Sequence, residues 1–231
     1  IARLNIVVSG GTGSGKTTML NALSRAIAEH ERVITIEDTA ELQLQQRHVI
    51  KLETRPASIE RTGSVNQRQL LRTALRMRPD RIIVGEVRGA EALDMLQAMT
   101  TGVEGSMSTV HANTPRDAFS RLENMVLMAD LEMPVRAILQ QLASAIQIVV
   151  QVGRLSDGSR KILEICEVAG IRDEQIHLNQ IVEFKRIGVS DSGKVLGRFQ
   201  WSGEPPRILQ RLRVSGLELP AQMFNEVVEI A

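Results

Sequence analysis

Short apolar runs alternate with amphipathic segments over the first two thirds of the chain. Four runs rich in β-branched residues are typical of buried parallel strands, and they lie at 4–8, 33–36, 81–84 and 146–152. Helical periodicity predicts helices at 16–29, 66–77 and 90–100, and two more that begin at Thr114 and Pro134. This alternation predicts an α/β fold with a mostly parallel central sheet flanked by helices.

The pattern changes after residue 150. Turn residues at 155–159 and 190–193 separate apolar runs, which predicts two antiparallel hairpins, 148–154 with 161–168 and 182–187 with 195–201. A Pro-Pro pair at 205–206 ends this part, and a short helical tail is expected after it. We therefore predict a core at 1–152 and an antiparallel β-rich appendage with a helical tail at 153–231.

Composition excludes several functional classes. The 28 basic and 27 acidic residues leave a net charge of +1, and the balance holds on both sides of residue 150, so no nucleic-acid partner is expected. The single cysteine, Cys166, excludes an internal disulfide and a zinc module. No apolar run reaches the roughly 18 residues of a transmembrane helix. These features are typical of a cytoplasmic protein.

A phosphate-binding P-loop is the firmest motif in the chain. The residues from 10 to 17 match its pattern in full, between a predicted strand and a predicted helix. Glycines there let backbone N–H groups converge on phosphate oxygens, and the helix N-terminus attracts anions. Lys16 is expected to reach the β- and γ-phosphates and Thr17 to bind Mg²⁺. The nucleotide-binding residues are expected to be Gly10, Gly11, Thr12, Gly13, Ser14, Gly15, Lys16, Thr17 and Thr18. A merely flexible Gly/Ser loop is disfavoured, because motif and context agree.

Carboxylates follow two other predicted strands. Glu37 ends one of them, with Asp38 and Glu41 close behind, and Glu86 follows Gly85 at the end of another. P-loop hydrolases place such carboxylates near Mg²⁺ or the attacking water, and the pattern leaves open which one positions the water. Asp38 and Glu41 could instead form a helix N-cap with first-turn acids.

Histidine and arginine residues leave further alternatives open. His111 follows a predicted strand and could contact the γ-phosphate or be structural, and the strand pattern favours neither. Arginines at 68, 72 and 76 share one helix face. That face could bind nucleic acid, be merely solvated, or lend arginines to a neighbouring subunit, and we prefer the third interpretation.

These motifs, in this order, resemble the type II/type IV secretion ATPase family. The resemblance rests on the P-loop, the acidic box at 35–41, the segment 71–89 that ends in Gly85-Glu86-Val87-Arg88-Gly89, and the box Thr109-Val110-His111-Ala112-Asn113. It covers roughly residues 3–152. The segments 155–160 and 193–199 resemble, more narrowly, the tight-adherence (Flp-type) pilus assembly ATPases.

The resemblance implies a RecA-like P-loop fold and a hexameric ring ATPase on the cytoplasmic face of the inner membrane. Such a ring works with an inner-membrane platform protein, uses ATP and Mg²⁺, and powers pilus assembly or protein secretion. It implies that Lys16 and Thr17 serve the phosphates and Mg²⁺, that Glu37 is the catalytic carboxylate, that Glu86 acts near Mg²⁺, and that His111 senses the phosphate.

Family members carry an N-terminal domain before the P-loop strand, and this chain begins on that strand. We therefore expect a C-terminal catalytic part without that domain. Phe119 is the only aromatic residue before residue 184, so an aromatic shelf for adenine is not expected in the core. The base contacts are accordingly expected to lie outside this chain.

Two other functions remain as alternatives. A RecA-like DNA-translocating ATPase would bind DNA in a strongly salt-dependent way, which the balanced charge disfavours. A nucleotide-gated scaffold would bind ATP and barely hydrolyse it, and the intact P-loop and acidic strand ends disfavour that. A small-molecule kinase is weaker still, because no lid insertion is evident.

Overall fold

Ten strands of the described part of the chain form one continuous sheet. The computed structural model describes residues 2–57, 63–129, 132–220 and 227–230. The strands are β1 (Ile6–Gly10), β2 (Val33–Glu37), β3 (Val49–Glu53), β4 (Arg81–Val87), β5 (Met107–Val110), β6 (Ile148–Arg154), β7 (Arg160–Arg172), β8 (Gln175–Val189), β9 (Val195–Trp201) and β10 (Val227–Ile230). The helices are α1 (Lys16–Ser24), α2 (Gln67–Arg76), α3 (Glu91–Thr100), α4 (Pro115–Leu127), α5 (Val135–Ala145) and α6 (Ile208–Val214).

The sheet has a parallel part and an antiparallel part. Its order is β10-β9-β8-β7-β6-β1-β5-β4-β2-β3. The strands from β6 to β3 in this order are parallel, whereas β7 to β10 pair antiparallel. Strand β6 joins the two parts, because it pairs with β1 on one side and β7 on the other. The predicted α/β fold with an antiparallel appendage is confirmed, including both predicted hairpins.

Helices cover both faces of the parallel part. Helices α2 to α5 bury one apolar cluster against the sheet, whose large members include Ile34, Leu71 and Leu96. Helix α1 lies on the other face, where Leu20 packs with Val8 and Ile83. Strand residues that face both layers are buried, as expected for a parallel sheet. None of the described helices is long and apolar enough to cross a membrane.

The sequence pattern was wrong at the end of α1 and missed three features. Helix α1 ends at Ser24 rather than near residue 29, because the side-chain amide of Gln46 donates to the carbonyls of Ser24 and Ile27 and so stabilises a tighter turn there. Strand β3 was missed because it is an edge strand with exposed polar positions. The β7–β8 hairpin was missed because its two turn residues, Asp173 and Glu174, adopt positive φ angles without a glycine. Strand β10 was missed as well.

The arginine face of α2 is tied to the neighbouring helix. Asp94 on α3 is buried and accepts hydrogen bonds from Arg68 Nε at 2.7 Å and from Arg72 Nε at 2.8 Å. A buried carboxylate requires such partners, so the contacts fix α2 against α3. Both guanidinium groups are held within the chain, which counts against the preferred interpretation that they are lent to a neighbouring subunit.

Candidate active site

The carboxyl ends of four adjacent parallel strands meet at one edge of the sheet. These strands are β1, β5, β4 and β2, in that order. A cleft of about 500 Å³ opens there. Ligands of open α/β sheets bind at this kind of edge. The P-loop follows β1, and the residues of it and of α1 that line the cleft are Gly13, Gly15, Lys16, Thr17 and Thr18.

The P-loop has the geometry of an anion cradle. Gly13 and Gly15 have φ angles of 69° and 96°, a region that glycine adopts readily and other residues rarely do. Helix α1 begins directly afterwards at Lys16, so its N-terminus faces the cleft. Its first turn carries no acidic residue that would compete for the backbone N–H groups. This end of the helix can therefore receive a phosphate.

Lys16 lies folded over the loop. Its Nζ donates to the carbonyl oxygen of Gly11 at 3.1 Å. Burial lowers the pKa of this amine, while the nearby Glu86 carboxylate opposes the shift and Arg88 adds to it. A phosphate beside Lys16 would also favour the charged amine, because an opposite charge stabilises it. Lys16 is thus placed to exchange a backbone carbonyl for a phosphate oxygen.

Glu37 is a buried carboxylate with one satisfied oxygen. It ends β2, lines the cleft and is 3% exposed. Its Oε1 accepts hydrogen bonds from the backbone N–H groups of Glu41 and Leu42, both at 2.9 Å. Its Oε2 is buried and has no partner among the described residues. A buried charged oxygen without a partner is costly, which indicates that a ligand or water satisfies it.

Gly85 makes room for Glu37. A Cβ atom at position 85 would lie 3.0 Å from Cγ of Glu37. The strand is also irregular here, since Gly85 and Glu86 together oppose the single residue Thr109 on β5, whose hydroxyl donates to the Gly85 carbonyl at 2.7 Å. Such bulges often redirect side chains next to active sites. A larger side chain at position 85 would press against the buried Glu37.

Replacing Gly85 with Ala should therefore destabilise the protein. The added methyl group must displace the buried Glu37 side chain, and overpacking of this kind costs about 1–3 kcal/mol. Urea unfolding of G85A measures the loss. Gly188→Ala is the matched control, because a Cβ there meets nothing within 4 Å. Equal stabilities of the two variants would show that Glu37 is not confined by Gly85.

Glu86 is paired with an arginine at the mouth of the cleft. Its Oε2 accepts from Arg88 Nη2 at 2.6 Å and from Arg88 Nε at 3.0 Å. The hydrogen bond and charge of Glu86 raise the pKa of Arg88. Arg88 Nη1 also lies 3.6 Å from Oδ2 of Asp38. Glu86 thus carries a compensated charge, in contrast to the free oxygen of Glu37.

The acidic box continues across the cleft from Glu37. Thr17 Oγ1 donates to Oε2 of Glu41 at 3.1 Å, so the hydroxyl expected to bind Mg²⁺ lies beside a carboxylate. Residues 38–48 contain no helix, so the alternative of a helix N-cap at Asp38 and Glu41 is wrong. Among the described residues, no group of three or more His, Cys, Asp or Glu could hold a metal ion.

His111 directly follows β5 and is half-buried, but it is not among the described residues that line the cleft. The side-chain amide of Gln151 on β6 fixes the loop after His111, because it donates to the carbonyls of Ala112 and Asn113 at 3.3 and 3.1 Å. Gly10, Gly11, Thr12 and Ser14 also belong to the predicted set and do not line the cleft. Thr12 is exposed, whereas Ser14 braces the loop by donating to Gly11 O at 2.8 Å.

Two cleft residues were missed from the sequence. Gln67 is the first residue of α2, and its Nε2 donates to Oδ1 of Asp38 at 3.0 Å, while its Oε1 is buried without a partner among the described residues. Arg160 at the start of β7 donates through Nε to Gly13 O at 2.8 Å. Neither residue lies in a local motif for nucleotide binding. Arg160 reaches the P-loop because β6 pairs with β1 and β7 pairs with β6.

Comparisons with known proteins agree with this geometry. Residues 1–191 match the family described as "Type II/IV secretion system protein". A Mycobacterium tuberculosis protein whose name assigns it to conjugal transfer is 48% identical over 164 residues, which is 71% of this chain and 46% of that protein. The type IV secretion system protein PtlH of Bordetella pertussis is 44% identical over 161 residues, which is 68% of this chain and 47% of PtlH.

A solved structure is similar as well. The VirB11 ATPase of the Brucella suis type IV secretion system, in complex with sulphate, superimposes with a TM-score of 0.65 and 36% identity. The match covers 71% of this chain and 48% of VirB11, so the chain spans about half the length of these relatives. The family match extends over most of the chain. The chain therefore belongs to the type II/IV secretion system protein family.

Proposed function

We propose that this chain is an ATPase motor subunit that hydrolyses Mg-ATP at the cleft and powers pilus assembly or protein secretion across the bacterial inner membrane. The observation that carries the proposal is the buried Oε2 of Glu37, which has no partner among the described residues and lies in a cleft that Lys16 and Thr17 of the P-loop also line. A scaffold that only binds ATP has no need of a buried charge without a partner. The VirB11 relative, named an ATPase, supports the same activity.

Phosphate binding falls to the P-loop and Lys16. The backbone N–H groups of the loop and the N-terminus of α1 orient the phosphates. Lys16 leaves the carbonyl of Gly11 and donates to the β- and γ-phosphates instead, which stabilises negative charge as the γ-phosphoryl group is transferred.

The oxygen donors of the cleft suit Mg²⁺. This ion is usually held by one or two carboxylates together with substrate phosphates, and not by a cage of protein ligands. The Thr17 hydroxyl and the adjacent Glu41 carboxylate, with Glu86 nearby, would hold it in this way. When bound, the ion supplies positive charge to the β- and γ-phosphate oxygens.

Glu37 and Gln67 position the attacking water. Each presents a buried oxygen without a described partner, and both residues line the cleft. An ordered water needs at least two polar partners, and these two oxygens can accept its hydrogen bonds. The two backbone N–H bonds to Oε1 fix the Glu37 carboxylate, so that Oε2 accepts the proton of the water as it attacks.

Glu86 and His111 have supporting roles in this proposal. The Arg88 contacts leave Glu86 poorly suited to act as the base, so we assign it to the metal side of the cleft. His111, at the end of β5, reports the state of the phosphate, as its place in the family motif implies. Gln151 fixes the loop that follows it.

The assembly follows from the family resemblance. We propose a hexameric ring, peripheral to the cytoplasmic face of the inner membrane, that contacts a platform protein there. The narrower assignment to tight-adherence pili stays a prediction. A complete site then depends on neighbouring subunits, as in other ring motors.

The proposal predicts that activity per chain rises with chain concentration. Phosphate release from Mg-ATP is measured over a range of concentrations, with Lys16→Ala as the blank. A climbing specific activity indicates sites shared between subunits. A constant rate no higher than the K16A blank would indicate a nucleotide-binding scaffold instead, and stimulation by DNA would favour a DNA-translocating ATPase.

A further inference from the structure

A second cavity of about 390 Å³ adjoins the P-loop. Most of its lining is apolar, and it comes from three parts of the chain. Met19 and Ala22 belong to α1, and Val152 lies on β6 in its last pair with β1. Ile162 belongs to β7 and Phe199 to β9. We call this cavity the base pocket and define it by these five residues. Its volume and apolar character suit a small organic ligand.

The base pocket adjoins the catalytic cleft. Gly15, Thr18 and Arg160 line both cavities. The carboxylates of Glu37 and Glu86 line only the cleft, and no acidic side chain of the described residues lines the base pocket. We therefore expect a triphosphate whose γ-phosphate faces those carboxylates to extend past Gly15 and Thr18, with its other end toward the base pocket.

We propose that the base pocket holds the purine base and ribose of the bound nucleotide, with the ring of Phe199 against the face of the base. This inference rests on the proposed function, because it requires a nucleoside triphosphate on the P-loop. It places part of the nucleotide site in the antiparallel appendage of the same chain. It also opposes the expectation from the sequence that the base contacts lie outside this chain.

Hydrogen bonds hold the β6–β7 turn against β9 and, through Arg160, against the P-loop. Oδ1 of Asp157, in the β6–β7 turn, accepts from the backbone N–H and the hydroxyl of Ser159, and its Oδ2 accepts from the backbone N–H of Val195 at the start of β9. These hydrogen bonds lower the pKa of Asp157 to about 2, so the carboxylate stays charged near neutral pH. The Arg160 bond to Gly13 O links the same turn to the loop.

Phe199 is half-buried, which leaves ring surface for a ligand. It packs edge-on against Phe184, with ring centroids 5.5 Å apart and planes at 64°. Phe184 does not line the base pocket, so it supports Phe199 from behind. An aromatic face binds any purine by stacking. Because no described carboxylate is available to read the base edge, we expect ATP and GTP to bind with similar affinity.

The test compares Mg-ATP with Mg-tripolyphosphate, which lacks base and ribose, by calorimetry on the full chain. Phe199→Ala is expected to weaken ATP binding about five- to hundredfold and to leave tripolyphosphate binding unchanged. Phe199→Leu, which keeps an apolar side chain but no aromatic face, should lose a smaller part of the ATP affinity. Phe184→Ala is the matched control and should retain most of it.

Each outcome decides the proposal. Unchanged ATP binding in F199A, or an equal loss for ATP and tripolyphosphate, would overturn the base pocket while the phosphate site stands. An equal effect of F184A and F199A would overturn it too, because it would indicate loosened packing of β8 against β9. If the unaltered chain binds neither ligand better than K16A does, the proposed function itself fails.

Discussion

Replacement of Lys16 by Ala is expected to reduce ATP hydrolysis about a hundred- to thousandfold and to weaken ATP binding. In the proposed site the side chain is the cation that binds the β- and γ-phosphates, and its Nζ lies 3.1 Å from Gly11 O of the P-loop. Burial lowers the pKa of this amine from its ordinary value, and the nearby Glu86 carboxylate opposes the shift. Without the Lys16 amine, the negative charge of the phosphates is less well compensated in the bound ground state and in the transition state. Steady-state phosphate release and calorimetric ATP binding measure the two effects.

Lys194→Ala is the matched control for this variant. Lys194 is exposed in the β8–β9 turn and belongs to neither cavity. The control should hydrolyse ATP at the unaltered rate. Full activity of K16A would contradict the assignment of the cleft.

Glu37→Gln is expected to abolish hydrolysis without abolishing binding. Loss of a general base lowers the rate about a hundred- to ten-thousandfold. The amide oxygen of Gln can still accept the N–H groups of Glu41 and Leu42, so the loop geometry should persist. The substitution removes the negative charge of the carboxylate and with it the capacity to accept a proton. The dissociation constant for ATP should therefore stay near its unaltered value while phosphate release stops.

Glu86→Gln separates the two candidate carboxylates. Glu86 is paired with Arg88 and is assigned to the metal side of the cleft. E86Q should therefore raise the Mg²⁺ concentration needed for half-maximal activity, and should have a smaller effect on the rate at saturating Mg²⁺. Glu53→Gln is the control, because Glu53 is exposed and ends the strand beside Glu37. An active E37Q together with an inactive E86Q would reverse the two assignments.

The alternation of strands and helices, the P-loop and the acidic strand ends could be read from the sequence because each depends on neighbouring residues. Glu37 and Glu86 were predicted from their places at strand ends, and parallel pairing brings both to the cleft. The sequence did not show which of the two carboxylates has an oxygen without a partner among the described residues. That depends on contacts between segments, namely the Arg88 pair and the room that Gly85 leaves for Glu37.

Arg160 and Phe199 show the limit of sequence reasoning more clearly. Each lies about 150 residues or more from the P-loop in the chain, and neither sits in a local motif for nucleotide binding. They reach the site because β6 pairs with β1 and the next three strands extend the sheet from it. The pattern predicted the hairpins but not the side of the P-loop on which they lie.

The proposed role of Glu37 in the hydrolysis of ATP held by the P-loop is tested most directly by single-turnover reactions with chain in excess over Mg-ATP, comparing the unaltered chain with E37Q. Bound ATP is expected to become ADP in the unaltered chain and to stay ATP in E37Q. Equal rates of ADP formation in the two proteins would contradict it.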